Sequence, residues 1–193
     1  YFFIIKEGYQ INHPFVFYPY TKIRDIKMVS YLNGGYYSYF EKDLLLCDFS
    51  AHALNIPKET QEIKEEALRF SNITNVYFET DSQLKIINKL AFESLAIEEI
   101  SLPNSLTFIG KSAFMNCTKL RKVNINKTSH LKTIKSSAFE YTSIETIVFP
   151  SNLEEIGPFA FYKCKKLKNI VNYSNKIKIG ESSFAHSSIE MIK

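Results

Sequence analysis

The stretch NLEEIGPFAFYKCKKLKNI, residues 152–170, contains one unit of a pattern that recurs along the chain. In this unit Ile156 stands five residues before Phe161, and the small residue Ala160 precedes that phenylalanine. The same small-plus-large pair occurs as Ala67-Leu68, Ala91-Phe92, Ala113-Phe114, Ala138-Phe139, Ala160-Phe161 and Ser183-Phe184, after Ile63, Ile87, Ile109, Ile134, Ile156 and Ile179. The large members are 24, 22, 25, 22 and 23 residues apart. A period in the twenties predicts a solenoid, whose repeats bury their apolar faces only by stacking on one another.

A second part of each repeat has the spacing of a short strand. In Ile144-Glu-Thr-Ile147-Val-Phe149 the last apolar residues alternate with variable ones, which is the periodicity of a β-strand. The residues equivalent to Ile147 are Val76, Ile100, Val123 and Ile170. The spacing matches the L-x-x-L-x-L core of leucine-rich repeats, in which one strand per repeat builds a parallel sheet.

The whole unit resembles the BspA-like branch of the leucine-rich repeats, also called type 5. The resemblance rests on SLTFIGKSAFMNCTKLRKVNI, residues 105–125, and on NLEEIGPFAFYKCKKLKNI, residues 152–170. It covers about residues 54–193. It implies a strand-rich α/β solenoid with a parallel β-sheet on one face and short helical or irregular segments on the other. It also implies a non-enzymatic surface protein that binds host cells or matrix proteins.

The first part of the chain reads differently. We interpret residues 1–53 as a degenerate repeat followed by a β-hairpin, and residues 54–193 as the solenoid of about six repeats, together forming one structural unit. Asn33-Gly34-Gly35 lies between two aromatic, β-prone runs and predicts the hairpin turn. YYSYFEKDLLLCDF, residues 36–49, is similar to the β-ribbon that BspA-like proteins often carry. The apolar opening Tyr1-Phe-Phe-Ile-Ile5 is too short to span a membrane.

Residue types that support catalysis are sparse. His13, His52, His130 and His186 are isolated, and none has metal-ligand spacing to another histidine or to a cysteine. Cys47-Asp-Phe-Ser-Ala-His52 is the one local cluster that could hold a nucleophile and a base, but strand alternation explains it equally well. Glu62, Glu65 and Glu66 are better explained as a solvated edge than as a calcium site. We therefore expect no enzymatic activity, no cofactor and no metal.

The cysteines are expected to be structural. Cys117 and Cys164 occupy equivalent positions two repeats apart, which places their Cα atoms roughly 10 Å apart at the usual strand spacing. A disulfide requires less than about 7 Å, so no bond is expected between them. The other repeats hold Ser71, Leu95, Thr142 and Ser187 at this position, which indicates a small core slot. Cys47 cannot be assigned to such a slot.

Two surfaces are candidates for partner binding. The first is the outward face of the predicted strands, in two columns of residues: Asn75, Glu99, Lys122, Thr146 and Asn169, and Tyr77, Ser101, Asn124, Val148 and Val171. The second is a basic edge formed by Lys119, Arg121, Lys163, Lys165, Lys166 and Lys168, with Lys122 beside it, which stacking of the repeats would align into a stripe. An ordinary solvated edge explains the second set as well.

The charge of the chain is distributed unevenly. Residues 1–109 carry 10 Lys/Arg and 14 Asp/Glu, a net charge of −4, whereas residues 110–193 carry 14 and 6, a net charge of +8. A basic surface of this kind suits an acidic protein partner, an acidic glycan or an anionic surface. Nucleic acid is not expected, because no aromatic residues interleave the lysines as single-strand binders require.

Four Asn-x-Ser/Thr sequons are candidates for glycosylation: Asn72, Asn116, Asn126 and Asn172. Asn172 occupies an inward strand position, so we expect it to be poorly accessible. The sequons and the resemblance favour a cell-surface or secreted protein with a host or matrix protein as its partner. An intracellular protein–protein scaffold with a cytoplasmic location is the alternative.

Overall fold

The computed structural model describes residues 52–192 as one continuous stretch, with side chains for residues 52–190, and five strands that precede it. The strands in chain order are β1 Ile4–Ile5, β2 Tyr9–Gln10, β3 Ile26–Ser30, β4 Tyr36–Phe40, β5 Asp43–Cys47, β6 Ala53–Ile56, β7 Glu62–Ile63, β8 Asn75–Phe78, β9 Ile86–Ile87, β10 Glu99–Ser101, β11 Phe108–Ile109, β12 Lys122–Asn124, β13 Thr133–Ile134, β14 Thr146–Phe149, β15 Glu155–Ile156, β16 Asn169–Asn172, β17 Lys178–Ile179 and β18 Met191–Ile192. The described residues contain no helix, and so none that could cross a membrane.

Two rows of parallel strands run along the solenoid. The long strands form the pair β6-β8 and the five-stranded sheet β10-β12-β14-β16-β18; β8 contacts β10 but is not paired with it, and the two together are called the long-strand sheet here. These are the strands predicted by the spacing of Ile144, Ile147 and Phe149 and of the equivalent residues in other repeats. The residues predicted to point inward, such as Ile100 and Ile147, are buried. The short-strand sheet is built from the two-residue strands that end in the isoleucine of each repeat, in the order β17-β15-β13-β11-β9-β7. The spacing of apolar residues in the sequence does not predict this second sheet.

A ladder of turns forms the third side of each repeat, so the irregular segments that the resemblance allowed are found there and the helical ones are not found in the described residues. The residue before each Ala-Phe pair and the residue four positions later have positive φ angles between 54° and 61°. These residues are Glu66, Leu90, Ser112, Ser137, Phe159 and Ser182, and then Phe70, Ser94, Asn116, Tyr141, Lys163 and His186. A left-handed residue at every fourth position prevents the run of right-handed residues that a helix needs.

Alternate backbone N–H groups in these turns bond to the neighbouring repeat, while those between them close short turns within their own repeat, as Met115 N does to Ser112 O. The N–H of Phe114 donates to the carbonyl of Ala138 at 2.7 Å, and the N–H of Phe139 donates to Ala160 at 2.8 Å. Since a buried backbone N–H must find an acceptor, the turn ladder takes the place of the internal hydrogen bonds of a helix. From β10 onward, the repeats are thus tied to one another on all three sides, whereas β8 and β10 are not paired on the long-strand side.

The core between the three sides is dominated by a column of stacked phenylalanines. Successive ring centroids of Phe92, Phe114, Phe139, Phe161 and Phe184 are 4.8, 5.0, 5.3 and 5.3 Å apart, with interplanar angles of 14° or less. The isoleucine of each short strand packs beside them and is buried in every repeat except the last described one, where Ile179 is 60% exposed. The apolar residues that recur at the same position of each repeat are therefore stacked on one another in the structure.

The N-terminal strands extend the short-strand sheet. β3 pairs with β4 and β4 with β5, both antiparallel, and β5 then joins β7 in parallel through Asp43↔Glu62 and Leu44↔Ile63. The antiparallel β3–β4 pair agrees with the predicted hairpin, although its turn at Asn33-Gly34-Gly35 lies outside the described residues, as does most of the predicted degenerate repeat. The domain boundary at residues 53–54 stays a prediction.

Candidate functional site

The outward face of the long-strand sheet, here called the sheet face, contains the two columns predicted from the sequence. Strand register places Glu99 opposite Lys122 and Thr146 opposite Asn169, and places Ser101 opposite Asn124 and Val148 opposite Val171. The exposed members are Asn75, Tyr77, Glu99, Ser101, Lys122 and Thr146, and the half-buried members are Asn124, Val148, Asn169 and Val171. A partner could therefore contact both columns at once.

A polar network occupies the middle of the sheet face. Lys122 Nζ lies 2.8 Å from Glu99 Oε1, and Asn124 Nδ2 donates to the same oxygen at 2.6 Å and to Ser101 Oγ at 2.9 Å. The hydrogen bonds from Lys122 and Asn124 lower the pKa of Glu99, so this carboxylate remains ionised at neutral pH. The network links four side chains on two neighbouring strands, although exposed pairs of this kind contribute little to stability.

Tyr77 lies on β8, a strand that contacts β10, where Glu99 and Ser101 stand. Its side chain is 57% exposed, and the repeat spacing places it in the column of Ser101 and Asn124. Val148 and Val171 lie at the other end of the same column and are half-buried. The sheet face thus has a polar centre between an exposed aromatic residue and a small aliphatic patch, a combination that resembles protein-binding surfaces.

The basic edge has a different arrangement from the stripe expected from the sequence. Arg121 and Lys168 are two repeats apart, and the intervening repeat places Glu145 between them, because Glu145 N donates to Arg121 O and Lys168 N donates to Glu145 O. Lys168 also forms an ion pair with Glu190 at 3.0 Å. Lys119, Lys165 and Lys166 are exposed and form no ion pair with the described residues. The predicted cluster is therefore divided by acidic residues along this column.

A group of aromatic side chains on the turn side was missed by the sequence analysis. It consists of Tyr141, Phe159, Tyr162, Lys163 and His186, and we call it the aromatic patch. Tyr141, Lys163 and His186 all stand two residues after the large member of the pair in their repeats. Aligning the variable positions of the repeats would have placed these three side chains in one column. Neither strand nor helix periodicity predicts it, because left-handed turns set the side-chain directions.

The other predicted sites have local explanations. Cys117 and Cys164 are free and buried, and each thiol donates to a backbone carbonyl of the previous repeat, Phe92 O and Phe139 O, at 3.0 Å. The three glutamates considered as a calcium site bond to neighbouring cations, Glu62 to Lys64, Glu65 to Lys89 and Glu66 to Arg69. Within residues 52–190 no cluster of three or more His, Cys, Asp or Glu side chains could hold a metal ion.

The remaining candidates concern His52 and the sequons. His52 is exposed and its Nδ1 lies 3.2 Å from the Asn72 carbonyl, while the side chain of Cys47 lies outside the described residues. All four sequon asparagines are exposed, so the expectation of poor access at Asn172 is wrong. This residue ends β16, where its Oδ1 accepts a hydrogen bond from Ser174 N, and the chain leaves the sheet before the side chain would enter the core.

Comparison with known proteins identifies the fold family. The model of the BspA type leucine rich repeat region matches six copies, over residues 3–117 and 85–193. No curated protein shows significant sequence similarity to the chain. Among solved structures, a leucine-rich repeat protein from Eubacterium ventriosum is similar at 21% identity with a TM-score of 0.65, covering 85% of this chain and 50% of its own.

Two further structures have the same fold. The leucine rich repeat protein of T. pallidum is 24% identical with a TM-score of 0.54, over 78% of this chain and 62% of its own. A leucine rich cell surface protein from Faecalibacterium prausnitzii is 20% identical with a TM-score of 0.50, over 64% of this chain and 39% of its own. This chain spans less than two thirds of each of the three structures. The repeat model matches most of the length of this chain, which shows that the chain belongs to the BspA-type leucine-rich repeat family.

Proposed function

We propose that this chain is a non-enzymatic protein-binding module of a cell-surface protein, and that it binds a host-cell or matrix protein through the sheet face. The observation that carries the proposal is the exposed Tyr77 on β8, the strand that contacts β10, together with the Glu99–Lys122–Asn124 network on β10 and β12. Exposed tyrosines next to fixed polar groups are frequent anchors of protein interfaces. The family membership and the neighbour described as a cell-surface protein support a surface location.

The binding test replaces the exposed aromatic anchor and the network lysine together. We expect Tyr77→Ala with Lys122→Ala to weaken binding to fixed epithelial cells or to immobilised extracellular-matrix proteins by about tenfold or more, as loss of an interface anchor does. The melting temperature should change little, because both side chains are exposed and contribute little to the core. Binding is measured with labelled protein, and stability by thermal unfolding.

The matched control changes the basic edge instead. Lys165→Glu with Lys166→Glu inverts two exposed charges that form no ion pair with the described residues and leaves the sheet face intact. The proposal predicts that this variant keeps binding. If it abolishes binding while the Tyr77/Lys122 variant binds normally, the basic edge and not the sheet face is the site.

The alternative is an intracellular scaffold that uses the same face for a protein partner. Location separates the two, since an antibody against the solenoid should label intact cells that express the full-length protein at their surface. Labelling only after permeabilisation would favour the scaffold. This outcome concerns location alone and leaves the test of the sheet face unaffected.

A further inference from the structure

The aromatic patch lies on the turn side of the solenoid, away from the sheet face. Three repeats contribute to it: Tyr141 from one, Phe159, Tyr162 and Lys163 from the next, and His186 from the last. Tyr141 and Phe159 are large apolar side chains that remain exposed, although both belong to the turn ladder. Large apolar groups exposed together on a soluble chain often mark an interaction surface.

The rings of the patch hold one another in place. Tyr162 stands at the centre, with ring centroids 6.3 Å from Tyr141, 5.6 Å from Phe159 and 5.3 Å from His186. All three pairs meet edge to face, at 88°, 86° and 87°, which is a favoured geometry for aromatic pairs. The backbone beneath them is fixed by hydrogen bonds between repeats, Tyr141 N to Tyr162 O and Lys163 N to Ala185 O. The surface is therefore ordered before any partner arrives.

Lys163 supplies an ordered positive charge within these rings. Its Nζ donates to Tyr141 Oη at 2.9 Å and lies 4.9 Å and 5.2 Å from the ring centroids of Tyr141 and Tyr162. The hydrogen bond to Tyr141 raises the pKa of Lys163, so the group is an ammonium at neutral pH. It forms no ion pair with any carboxylate in residues 52–190. An ammonium has three N–H donors, and the hydrogen bonds to Tyr141 and Tyr162 leave one of them for a ligand.

The surroundings of Lys163 are mainly basic. Lys165 and Lys166 follow it closely and are exposed, while the carboxylates on the same turns are Glu140 and Glu181, neither of which pairs with Lys163. The chain from residue 110 onward carries a net charge of +8. A complementary partner would bring carboxylates towards Lys163 and apolar side chains towards the exposed rings.

We propose that the aromatic patch is a second binding surface, which takes an acidic segment of a protein partner. A carboxylate of the segment bonds to Lys163, and an apolar side chain beside it packs on Phe159 and Tyr141. A peptide is favoured over a sugar because the patch offers rings and one fixed cation, whereas a sugar ring needs several polar side chains for its hydroxyl groups. The patch is separate from the sheet face, so the proposal does not depend on the function proposed above.

The probe is a fluorescein-labelled short peptide of alternating glutamate and tyrosine, followed by fluorescence polarisation against the whole chain. We expect binding with a Kd below about 1 mM that weakens as salt is added. Lys163→Gln should weaken it by about tenfold, the loss expected for a charge-assisted hydrogen bond. Lys163→Arg should retain most of the binding, because it preserves the charge. Tyr162→Ala should weaken binding through loss of the central ring.

The matched control is Phe70→Ala, which removes an exposed aromatic from the same left-handed turn position in a distant repeat. This variant and the sheet-face variant Tyr77→Ala/Lys122→Ala should bind the peptide normally. No binding up to about 1 mM would overturn the proposal. So would equal binding of a peptide with glutamine in place of glutamate, or an unchanged Kd for Lys163→Gln. Lys163-dependent binding of a uronate oligosaccharide without binding of the peptide would also overturn it and would assign the patch to acidic sugars.

Discussion

At the scale of single residues, Cys117 and Cys164 show how the solenoid uses a small buried slot. Each thiol donates to a carbonyl of the previous repeat, and Thr142 Oγ1 in the intervening repeat bonds to Phe139 O at 2.8 Å. The slot thus accepts a small side chain with a weak donor. Burial raises the pKa of Cys117 to about 12 and that of Cys164 to about 11, which keeps both thiols protonated and unreactive at neutral pH.

These thiols give a prediction for reactivity and for pH dependence. In a Cys47→Ser background, iodoacetamide should label neither thiol in the native chain at pH 8 and both in urea, as read by mass spectrometry. The unfolded chain loses these protons near the ordinary value of 9.0, whereas the folded chain keeps them to about pH 11–12. The contribution of the two thiols to the free energy of unfolding is therefore fully present below pH 9 and is lost as the pH rises from about 9 to about 11–12.

The control for this prediction replaces the two thiols with alanine. The stability should decline less above pH 9 in Cys117→Ala/Cys164→Ala than in the parent. The tyrosines and lysines that also titrate in this range are present in both proteins, so the difference between the two declines is due to the thiols. Rapid labelling of the folded chain, or an identical decline in both proteins, would contradict the buried state of the thiols.

At the scale of elements, the turn ladder and the phenylalanine stack depend on each other. The small member of each pair, such as Ala138, lets the turn approach the core, and the large member, such as Phe139, fills the space that remains. The left-handed residues on either side direct N–H groups to the next repeat and bring each phenylalanine directly over its neighbour. A helix in this segment would offer neither the lateral hydrogen bonds nor this column of rings.

Removal of one ring from the middle of the stack should therefore be costly. Phe139 is fully buried, between Phe114 and Phe161, so Phe139→Ala should lower the free energy of unfolding by about 3–5 kcal/mol. Phe70→Ala removes the same side chain where it is 59% exposed and should change stability by only about 0.5 kcal/mol. Urea unfolding measures both variants, and similar losses would show that the stack does not support the repeats.

At the scale of the whole molecule, the burial of a repeat position depends on the repeat that follows it. Ile109 and Ile179 occupy the same position in the short-strand sheet, yet Ile109 is fully buried and Ile179 is 60% exposed. β11 has a strand on both sides, whereas the described residues place only β15 beside β17. The stability of a solenoid is accordingly a sum of repeat terms and terms for the interfaces between neighbours.

This difference predicts unequal effects of one substitution in this 193-residue chain. Ile109→Ala should lower the free energy of unfolding by about 2–5 kcal/mol, because it opens a cavity between two repeats. Ile179→Ala should lower it by less than about 1 kcal/mol, since little buried surface is lost. Urea denaturation of the two variants tests the prediction, and equal losses would contradict the stacking described above.

The amino-acid sequence by itself determines the solenoid, the alignment of its repeats, and which residues of each long strand point inward or outward. Apolar residues recur every 22–25 positions and alternate within each strand, and only stacking can bury them all. The two columns of the sheet face follow from the same alternation, and strand pairing has their members on β10, β12, β14 and β16 in the predicted register.

Tertiary structure alone decided the turn ladder, the short-strand sheet and the edge-to-face contacts that assemble the aromatic patch. The physical reason is that these features depend on hydrogen bonds between repeats. A two-residue strand such as Phe108–Ile109 carries no periodicity of its own, and the direction of Tyr141 or Lys163 follows from a left-handed turn that forms only when the next repeat accepts or donates its backbone hydrogen bonds.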